Sequence, residues 1–561
     1  MVTFSNVLRK FYQQAADQTA VEILFSKGED LTLTYKDLIE GAAAYEKAFS
    51  ENGIKPGEIV ILIMQHSRDL ICAFYGAILH GAIPSIMPFL TEKLLPERYR
   101  SDLAALIAVT QPSAIVTYRD FNPEIQPALK TDDSVRVVMI SDDIPSTREP
   151  DFETMYGLKR NPEDIVLLQH SSGTTGLQKG VALSHQAVFN QLKAYKNALN
   201  FSENDVVVSW LPLYHDMGLI AGFLLPILSG AKLVLLSPFD WVRAPYRLLQ
   251  AISQYRGTLT WLPNFAYNFC AKKIRDRHMQ GVDLSSLRAV INCSEPMRWD
   301  SHEIFREKFE PYGFNHSAFG VSYAMAENVF AVTQGGIKNP IRVDEIDRDA
   351  FQNEHLAVPI TPGKESLRIL SAGKPIGNTL VKILSTDEKR RELKDREVGE
   401  IAIQSDCMLT GYYHRPVITE QSFHDGWFLT GDYGYKLDGE VYVTGRKKEI
   451  IIVGGRNVYP QDLEELAMEV PGVHPGRVVA FGIFDEALAT EEVTIVAEVD
   501  TLDTTERDQI ADGIREKVTR GSAIALRNIY LVNRKWLIKT SSGKNARNAN
   551  RDKYIQETTK K

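Results

Sequence analysis

Apolar positions recur at helical spacing in some segments of the chain and form short continuous runs in others. Residues 33–53 predict an amphipathic helix that ends at Gly53, followed by the strand-like run EIVILIM and a second helix over 68–82. Four later apolar runs predict further strands: residues 205–212, 231–237, 257–263 and 287–293. Short buried strands that alternate with helices indicate parallel α/β layers, with ligands expected beyond the carboxyl ends of the strands.

The pattern changes in the last third of the chain. Residues 399–445 hold short strand-like runs punctuated by glycine, and Asp438-Gly439 predicts a tight hairpin. A smaller α/β pattern begins after Arg446, with strands predicted over residues 450–453, 477–484 and 492–500. We therefore predict an α/β fold with two domains. Residues 1–445 form a large N-terminal domain of layered α/β subdomains plus a β-rich subdomain, and residues 446–561 form a small C-terminal α+β domain.

Length and composition narrow the class of protein. A chain of 561 residues is longer than one hydrophobic core usually organises, and its net charge of −8 gives no global basic surface for nucleic acid. The four cysteines are far apart and predict neither a disulfide framework nor a zinc site. The N-terminus lacks an apolar signal segment, and no run reaches the ~20 apolar residues of a transmembrane helix. We expect a soluble, cytoplasmic protein.

A glycine- and hydroxyl-rich loop follows the strand predicted over residues 164–169 and precedes a helix predicted over 181–192. Backbone N–H groups and hydroxyls of such a loop converge on phosphate oxygens, and a lysine adds positive charge. The candidate phosphate-binding residues are Ser171, Ser172, Gly173, Thr174, Thr175, Gly176 and Lys179. Because Gly176 and Lys179 are not adjacent, the loop is not a Walker A motif, which disfavours a P-loop kinase or ATPase. A surface turn is the alternative for the loop taken alone.

Five sequence blocks carry a resemblance to a known superfamily. They are SGTTGLQKG (172–180), Tyr323 to Glu327, Thr430-Gly431-Asp432, Gly445-Arg446 with Lys448-Glu449, and Thr540 to Lys544. In this order and over nearly the whole chain, they resemble the acyl- and aryl-adenylating enzymes, which include acyl-CoA synthetases, firefly luciferase and peptide synthetase adenylation domains. The chain departs from the family pattern at Gln178, Ala324 and Ile538, which affects fine geometry rather than the reaction class.

The resemblance implies a role for each block. Lys544 would reach the substrate carboxylate and the α-phosphate of ATP, where positive charge stabilises a transition state that joins two anions. Thr175 and Glu327 would support Mg²⁺, a hard cation that prefers oxygen ligands. The remaining nucleotide contacts would come from Ser294, Glu295 and Pro296 along adenine, from Tyr323 stacked on it with Met325 and Ala326 in the same block, and from Asp432 and Arg446 at the ribose.

Two further positions complete the expected site. His215 aligns with a histidine near the reacting carboxylate, and a structural role in its apolar run stays open as the alternative. Lys448 occupies the family's hinge position. The resemblance implies that the small C-terminal domain is mobile and rotates about this hinge to admit a thiol once the acyl-AMP has formed.

Details of the sequence resemble the fatty acyl-AMP ligase branch, including WLPLYHDMGLI, INCSEPM and GRNVYPQDLEEL. More than forty residues separate Glu327 from Ser371, an interval in which this branch carries an insertion thought to hinder CoA. We therefore predict ATP- and Mg²⁺-dependent conversion of a fatty acid to acyl-AMP with release of pyrophosphate. The acyl group would then pass to the phosphopantetheine thiol of an acyl carrier protein.

Alternatives to this prediction remain open at this point. An ordinary acyl-CoA synthetase would use CoA as the thiol, and a non-catalytic nucleotide- or acyl-binding protein would need only the fold. The joint presence of Thr175, Glu327, Asp432 and Lys544 argues against a member of the superfamily that has lost its catalytic residues. Residues 533–561 hold nine Lys/Arg and two Asp/Glu, a surface that could meet an acidic carrier protein or be a solvated tail. The sequence does not define the length of the acid.

Overall fold

The computed structural model describes most of the chain. The described ranges are residues 2–90, 96–131, 133–171, 179–337, 339–363, 366–453, 456–485, 490–522, 524, 526–540 and 543–558. Of residues 98 and 171 it describes the backbone. Within these ranges, no helix combines the length and the apolar character that a membrane crossing requires.

A seven-stranded sheet forms the centre of the large N-terminal part. Its strands, in spatial order, are Phe319–Val321, Ala289–Asn292, Leu259–Leu262, Val206–Ser209, Lys232–Leu236, Thr19–Leu24 and Leu31–Thr34. All neighbouring pairs are parallel except the last, which is antiparallel. The four strands predicted between residues 205 and 293 are therefore confirmed, and their carboxyl ends open on one edge of the sheet.

A second, four-stranded parallel sheet lies in the same part of the molecule. Its strands, in spatial order, are Ile83–Ile86, Ile59–Leu62, Ala114–Thr117 and Val137–Ile140. The helices predicted around it are confirmed as Tyr35–Glu51 and Arg68–His80. Thr34 caps the first in a capping box with Asp37, and Gly81, at φ 86°, ends the second in the left-handed conformation.

The other α-helices of the large part cover the faces and ends of these sheets. They are Phe4–Gln14, Pro96–Thr110, Asn122–Ile125, His185–Leu199, Leu225–Ser229, Pro238–Arg243, Tyr246–Tyr255, Asn264–Lys273, Trp299–Phe309 and Pro416–Gln421. A continuous hydrophobic core joins most of these helices to the seven-stranded sheet, whereas Pro96–Thr110 and Asn122–Ile125 pack in a second core with the four-stranded sheet. The predicted layered α/β architecture is thus confirmed for the large part.

The segment after the glycine-rich loop differs from the prediction. Residues 181–184 belong to the strand Lys179–Ser184, which pairs antiparallel with Ile165–Ser171, and the helix begins only at His185. The strand is favoured because Val181 and Leu183 are fully buried and its outer edge pairs with Gly411–Tyr412. The Ser184 hydroxyl then accepts the N–H of Ala187 and caps the helix. The loop therefore connects two antiparallel strands rather than a strand and a helix.

The β-rich part contains the predicted hairpin. Trp427–Leu437 and Glu440–Arg446 pair antiparallel, and Asp438 and Gly439 both have positive φ, at 53° and 77°, as a two-residue type I′ turn requires. The remaining strands of this part are Thr333–Gln334 with Lys374–Pro375, Val343–Asp347 with Ser366–Leu370, and Thr379–Leu384, Gly399–Ser405 and Phe423–His424 in one sheet with the hairpin.

The chain after Arg446 builds a smaller unit with its own hydrophobic clusters. Its strands are Ile451–Val453, Arg456–Val458, Val473–Asp485, Thr490–Val499 and Asn528–Val532, and its helices are Pro460–Met468, Thr504–Ser522 and Arg547–Thr558. The strands predicted over residues 450–453, 477–484 and 492–500 are confirmed within these bounds. The exact domain boundary between residues 445 and 446 stays a prediction.

A largely buried carboxyl in this smaller unit, Glu464, predicts that the stability of the protein depends on pH. Glu464 contacts the Arg547 guanidinium and accepts the N–H of Ala480 at 2.9 Å, yet burial raises its pKa from 4.5 to about 7. Between pH 4.5 and about pH 7, the folded state therefore keeps a proton on Glu464 that the unfolded state has released. Its contribution to stability, at most ~3 kcal/mol, is present below pH 4.5 and is lost as the pH rises through about 7.

Glu464→Gln removes this titration. We expect the thermal midpoint of the variant, measured relative to wild type, to rise from about pH 5 to about pH 8, because the wild type loses stability in this range and the variant does not. Glu516→Gln, at an exposed ion pair with Arg520, is the matched control. Parallel curves for Glu464→Gln and wild type over this range would contradict the prediction.

Candidate active site

A cleft of about 3010 Å³ lies between the large part and the smaller C-terminal unit, and both line it. Eight of the residues singled out from the sequence contribute to its walls: His215, Ser294, Glu295, Pro296, Tyr323, Asp432, Arg446 and Lys544. They come from segments that are far apart in the chain. The fold thus brings most of the described candidate residues to one cavity, whereas their chemical roles remain proposals.

Asp432 is the centre of a buried polar cluster in this cleft. It lies on the strand Trp427–Leu437 directly opposite Arg446, whose Nε is 3.4 Å from Oδ1. The Tyr323 hydroxyl donates a hydrogen bond of 2.6 Å to Oδ2. Burial raises the pKa of Asp432, against the opposing effects of Arg446 and Tyr323. A carboxylate held in this way retains lone pairs that can accept two neighbouring hydroxyl groups.

Half-buried Glu327 forms a second polar cluster, with Tyr412 and Lys179. Its Oε1 accepts a hydrogen bond of 2.8 Å from the Tyr412 hydroxyl, and the ammonium of Lys179 lies 4.5 Å from the centre of the Tyr412 ring. Burial raises the pKa of Glu327, and burial also lowers the pKa of Lys179. The contacts of each group therefore offset only part of the cost of removing its charge from water. Sequence reasoning missed Tyr412, because nothing local marks it as a partner of Glu327.

Lys544 reaches the cleft from the C-terminal unit. Its ammonium donates to the backbone carbonyl of Ser294, in the turn that follows the strand Ala289–Asn292. Ser294 has a φ of 71°, in the left-handed region, which directs this carbonyl away from the regular strand path. The positive charge of Lys544 is among the influences that favour the ionised forms of Asp216 and Asp432. Lys544 is therefore a cation of the C-terminal unit that reaches the turn at Ser294.

His215 also borders the cleft, where it pairs with its neighbour Asp216. The distance from His215 Nδ1 to Asp216 Oδ1 is 2.6 Å, and the same carboxylate oxygen accepts the N–H of Met217 at 2.8 Å. Although burial opposes ionisation, His215 and these hydrogen bonds hold the pKa of Asp216 below its ordinary value. Sequence reasoning did not single out Asp216, whose adjacency to His215 was the available signal.

The other candidates lie elsewhere or outside the described residues. Met325 is half-buried and Ala326 buried in the turn before Glu327, and neither lines the cleft. Lys448 lies in the turn after Arg446, where its hinge role stays a prediction. The predicted phosphate-binding residues Ser172, Gly173, Thr174, Thr175 and Gly176 lie outside the described residues, and Ser171 is described only as the end of a strand that pairs with Lys179.

Direct contacts fix the C-terminal unit against the large part. Arg298 pairs with Asp462 at 2.9 Å and with Glu465 at 2.7 Å. Elsewhere, Arg348 donates to the carbonyl of Gly521 at 2.5 Å, and the rings of Phe351 and Tyr459 stack with centres 5.4 Å apart. Arg348 and Phe351 belong to the long interval after Glu327 that the sequence marked as unusual. These contacts hold Lys544 in the cleft.

Comparisons with known proteins agree with this geometry. A family model described as AMP-binding enzyme matches residues 8–413. The chain is 31% identical over 556 residues to the medium-chain-fatty-acid–[acyl-carrier-protein] ligase JamA of Moorena producens, covering 94% of this chain and 90% of that protein. These values are high enough to establish common family membership.

Solved structures give the same result. A structure from studies of fatty acyl-adenylate ligases of E. coli and L. pneumophila is similar with a TM-score of 0.89 and 27% identity, covering 100% of this chain and 98% of the other. A fatty acyl-adenylate ligase of L. pneumophila in complex with acyl adenylate and pyrophosphate is similar with a TM-score of 0.74 and 28% identity, covering 99% and 96%. The arrangement of α/β layers, β-rich part and C-terminal unit is thus that of adenylate-forming enzymes.

Proposed function

The chain belongs to the family of AMP-binding enzymes, and on this premise we propose that it converts a fatty acid and ATP to acyl-AMP and pyrophosphate, and then transfers the acyl group to the phosphopantetheine thiol of an acyl carrier protein. It is an adenylate-forming ligase. The carrier-protein ligase among its relatives supports the identity of both substrates.

One observation carries the proposal. The ammonium of Lys544 enters the same cleft as Asp432, Arg446 and Tyr323, although it comes from the C-terminal unit. Two anions, a carboxylate and an α-phosphate, approach each other there only if a cation reduces their repulsion. Asp432 supplies acceptors for the ribose hydroxyls, and the ring of Tyr323 supplies a face for adenine. A site that only bound nucleotide would not need Lys544 at this position.

The first half-reaction follows from these positions. A carboxylate oxygen of the fatty acid attacks the α-phosphorus of ATP, an acyl O–P bond forms, and the bond to the pyrophosphate oxygen breaks. Lys544 stabilises the negative charge that accumulates on the α-phosphoryl oxygens, and pyrophosphate leaves as an anion. His215, held by Asp216, lies at the same cleft and would orient the incoming carboxylate.

The residues present fit a Mg²⁺ ion bound with the nucleotide. Glu327 is a half-buried carboxylate whose pKa is raised by desolvation, and one of its oxygens accepts a hydrogen bond from Tyr412. Mg²⁺ in nucleotide sites usually takes one or two carboxylate ligands together with phosphates and waters, so a single carboxylate suffices. Glu327 would hold the ion with Thr175, and the ion would supply positive charge to the pyrophosphate leaving group.

The second half-reaction requires a thiol to enter the cleft. Its sulfur attacks the acyl carbon, a C–S bond forms, the C–O bond to AMP breaks, and the thiol proton passes to solvent. Lys544 serves only the first step, so the C-terminal unit would rotate about Lys448 between the two. The long interval after Glu327 contacts the C-terminal unit through Arg348 and Phe351. These contacts support the proposal that the interval limits which thiol can enter the cleft.

The experiment that tests the proposal follows both half-reactions. Pyrophosphate release is measured with ATP and fatty acids from short to long, and acyl transfer is then measured to CoA, to an apo carrier protein and to the same carrier protein bearing phosphopantetheine. We expect release with a fatty acid and transfer only to the phosphopantetheinylated carrier. Efficient formation of acyl-CoA would show that CoA, rather than a carrier protein, is the thiol substrate. No release of pyrophosphate with any fatty acid would contradict the proposed function as a whole.

The ion pairs of Arg298 predict a separable effect on the two steps. Arg298→Ala removes the two contacts that hold Asp462 and Glu465 against the large part, so we expect acyl-adenylate formation to fall about 3- to 10-fold. Acyl transfer from supplied acyl-AMP should change less than about 2-fold, because in that step the C-terminal unit has to move away from the large part. Arg306→Ala, whose ion pairs stay close to its own helix, is the matched control. Equal losses in both steps would exclude a conformational role for Arg298.

A further inference from the structure

The cleft has an aromatic arm that the adenylation chemistry does not use. We define it by Trp210, Trp241, Phe265, Phe269 and His66, all of which line the cavity. The rings of Trp210 and Trp241 stack with centres 3.6 Å apart and planes 9° apart, and Phe265 and Phe269 pack around Trp241. On the proposed function, this apolar arm is where the chain of the fatty acid would lie.

His66 places a hydrogen-bond acceptor in the aromatic arm. It is 9% exposed, and its Nδ1 lies 3.0 Å from the carbonyl of Leu236. A carbonyl only accepts, so Nδ1 carries the proton and Nε2 carries a lone pair. Burial lowers the pKa of His66 to about 4, which keeps the ring neutral in this tautomer at neutral pH. In the part of the chain that the structure describes, Nε2 is buried without a hydrogen-bond partner.

The two tryptophans place hydrogen-bond donors in the same arm. Trp210 is 4% and Trp241 0% exposed, and neither indole N–H meets an acceptor among the described residues. Two other indoles do meet an acceptor, since Trp261 donates to the Tyr195 hydroxyl at 2.8 Å and Trp536 donates to Glu557 at 3.1 Å. Buried polar atoms without a partner also occur elsewhere among the described residues, and the two indole N–H groups and His66 Nε2 are those that belong to the residues of the arm.

Sheet register brings the acceptor and the donors to one place. Ser209 pairs with Leu235 in the parallel sheet, so Trp210 follows beside Leu236, the residue that His66 contacts. Ser237 then caps the short helix that carries Trp241. All three side chains thus gather at the carboxyl ends of two adjacent strands, where α/β proteins bind ligands.

We propose that this arm contains a hydroxyl-binding subsite, and that the acid activated here is a hydroxylated fatty acid. The hydroxyl of the acyl chain donates to His66 Nε2 and accepts from the indole N–H of Trp210 or Trp241. A ketone or ester has no proton for His66, and an ammonium group has no lone pair for the indole, whereas a hydroxyl satisfies both. The inference rests on the proposed function, because it concerns the acid that the same site activates.

The test compares acids that differ in one hydroxyl. Pyrophosphate release by the full-length enzyme is measured with unsubstituted saturated acids and with isomers of the same length hydroxylated at the third carbon, in mid-chain or at the terminal carbon. For at least one isomer we expect kcat/KM to exceed that of the unsubstituted acid by about 10-fold or more, because a site built to bond a hydroxyl discriminates against its absence.

Three variants locate the effect. His66→Asn keeps a donor for the Leu236 carbonyl but removes the Nε2 acceptor, and Trp210→Phe and Trp241→Phe remove an indole N–H while they keep an aromatic ring. We expect His66→Asn and at least one tryptophan variant to bring the ratio of kcat/KM for the hydroxylated acid to kcat/KM for the unsubstituted acid close to one, whatever their effect on the unsubstituted acid alone. Trp261→Phe, buried outside the arm, is the control and should keep the full ratio.

The two proposals fail in different ways. Release with unsubstituted acids, and no isomer better than its parent, would overturn the hydroxyl subsite and assign the polar atoms of the arm to trapped water, while the proposed function would stand. A preference that survives both His66→Asn and the tryptophan variants would overturn the assignment to this arm. No release with any acid would overturn the proposed function and the subsite with it.

Discussion

Replacing Lys544 by alanine is expected to lower the rate of acyl-adenylate formation by at least ~10²-fold, as loss of one preorganised transition-state contact typically does. The Lys544 ammonium comes from the C-terminal unit and lies in the cleft, where it contacts the Ser294 carbonyl and favours the ionised forms of Asp216 and Asp432. The measurement is pyrophosphate release in a single turnover with ATP and a fatty acid. The effect should appear mainly in kcat, because the contact strengthens as charge develops on the α-phosphoryl group.

The second half-reaction supplies the internal comparison for this variant. Acyl transfer from chemically prepared acyl-AMP to a phosphopantetheinylated carrier protein should stay within about 3-fold of wild type, because Lys544 leaves the cleft for that step. Lys517→Ala is the matched control, since it removes an exposed lysine of the same unit that pairs with Glu469. Equal loss of both half-reactions in Lys544→Ala would show that the residue supports the structure rather than the first step.

Local signals predicted those parts of the fold that depend on neighbouring residues. Asp438-Gly439 predicted its hairpin because the two residues accept positive φ more readily than most. The parallel strands were predictable because buried runs between helices have few other arrangements. The strand Lys179–Ser184 was not, because its apolar residues also fit the first turns of a helix. Pairing with Gly411–Tyr412, more than two hundred positions away, decided the outcome.

The candidate site shows the same division between local and distant information. The resemblance of five blocks identified Tyr323, Asp432 and Arg446 as members of one site, and the structure brings their side chains into direct contact. It could not identify Tyr412 or Arg298, whose roles arise only from partners distant in the chain. The aromatic arm was likewise invisible, because the sequence shows that His66 and Trp241 exist but not that their polar atoms lack partners. Packing alone determines that property.

Replacing Asp432 by asparagine is expected to lower kcat/KM for ATP by about 10²–10³-fold, because it removes the buried, negatively charged member of the pair with Arg446. The carboxylate accepts from Tyr323 at 2.6 Å and pairs with Arg446 at 3.4 Å, so its loss leaves the half-exposed Arg446 guanidinium without its partner. The amide also presents two donors where the ribose hydroxyls require acceptors. Steady-state kinetics with varied ATP would give the loss, and Asp425→Asn, at an exposed aspartate of the same β-rich part, should leave kcat/KM unchanged.

The recognition of ribose separates a binding role of Asp432 from a structural one. If its carboxylate accepts the 2′-hydroxyl, the wild-type enzyme should prefer ATP to 2′-deoxy-ATP by about 10-fold or more, since a hydrogen bond to a charged group is worth ~1.5–3 kcal/mol. Asp432→Asn should reduce this preference to about 3-fold or less. Tyr323→Phe keeps the ring and the carboxylate, so it should retain the preference and lose activity by less than about 10-fold. An undiminished preference in Asp432→Asn would assign ribose recognition to another residue, because the contact that distinguishes the two nucleotides would then persist without the carboxylate.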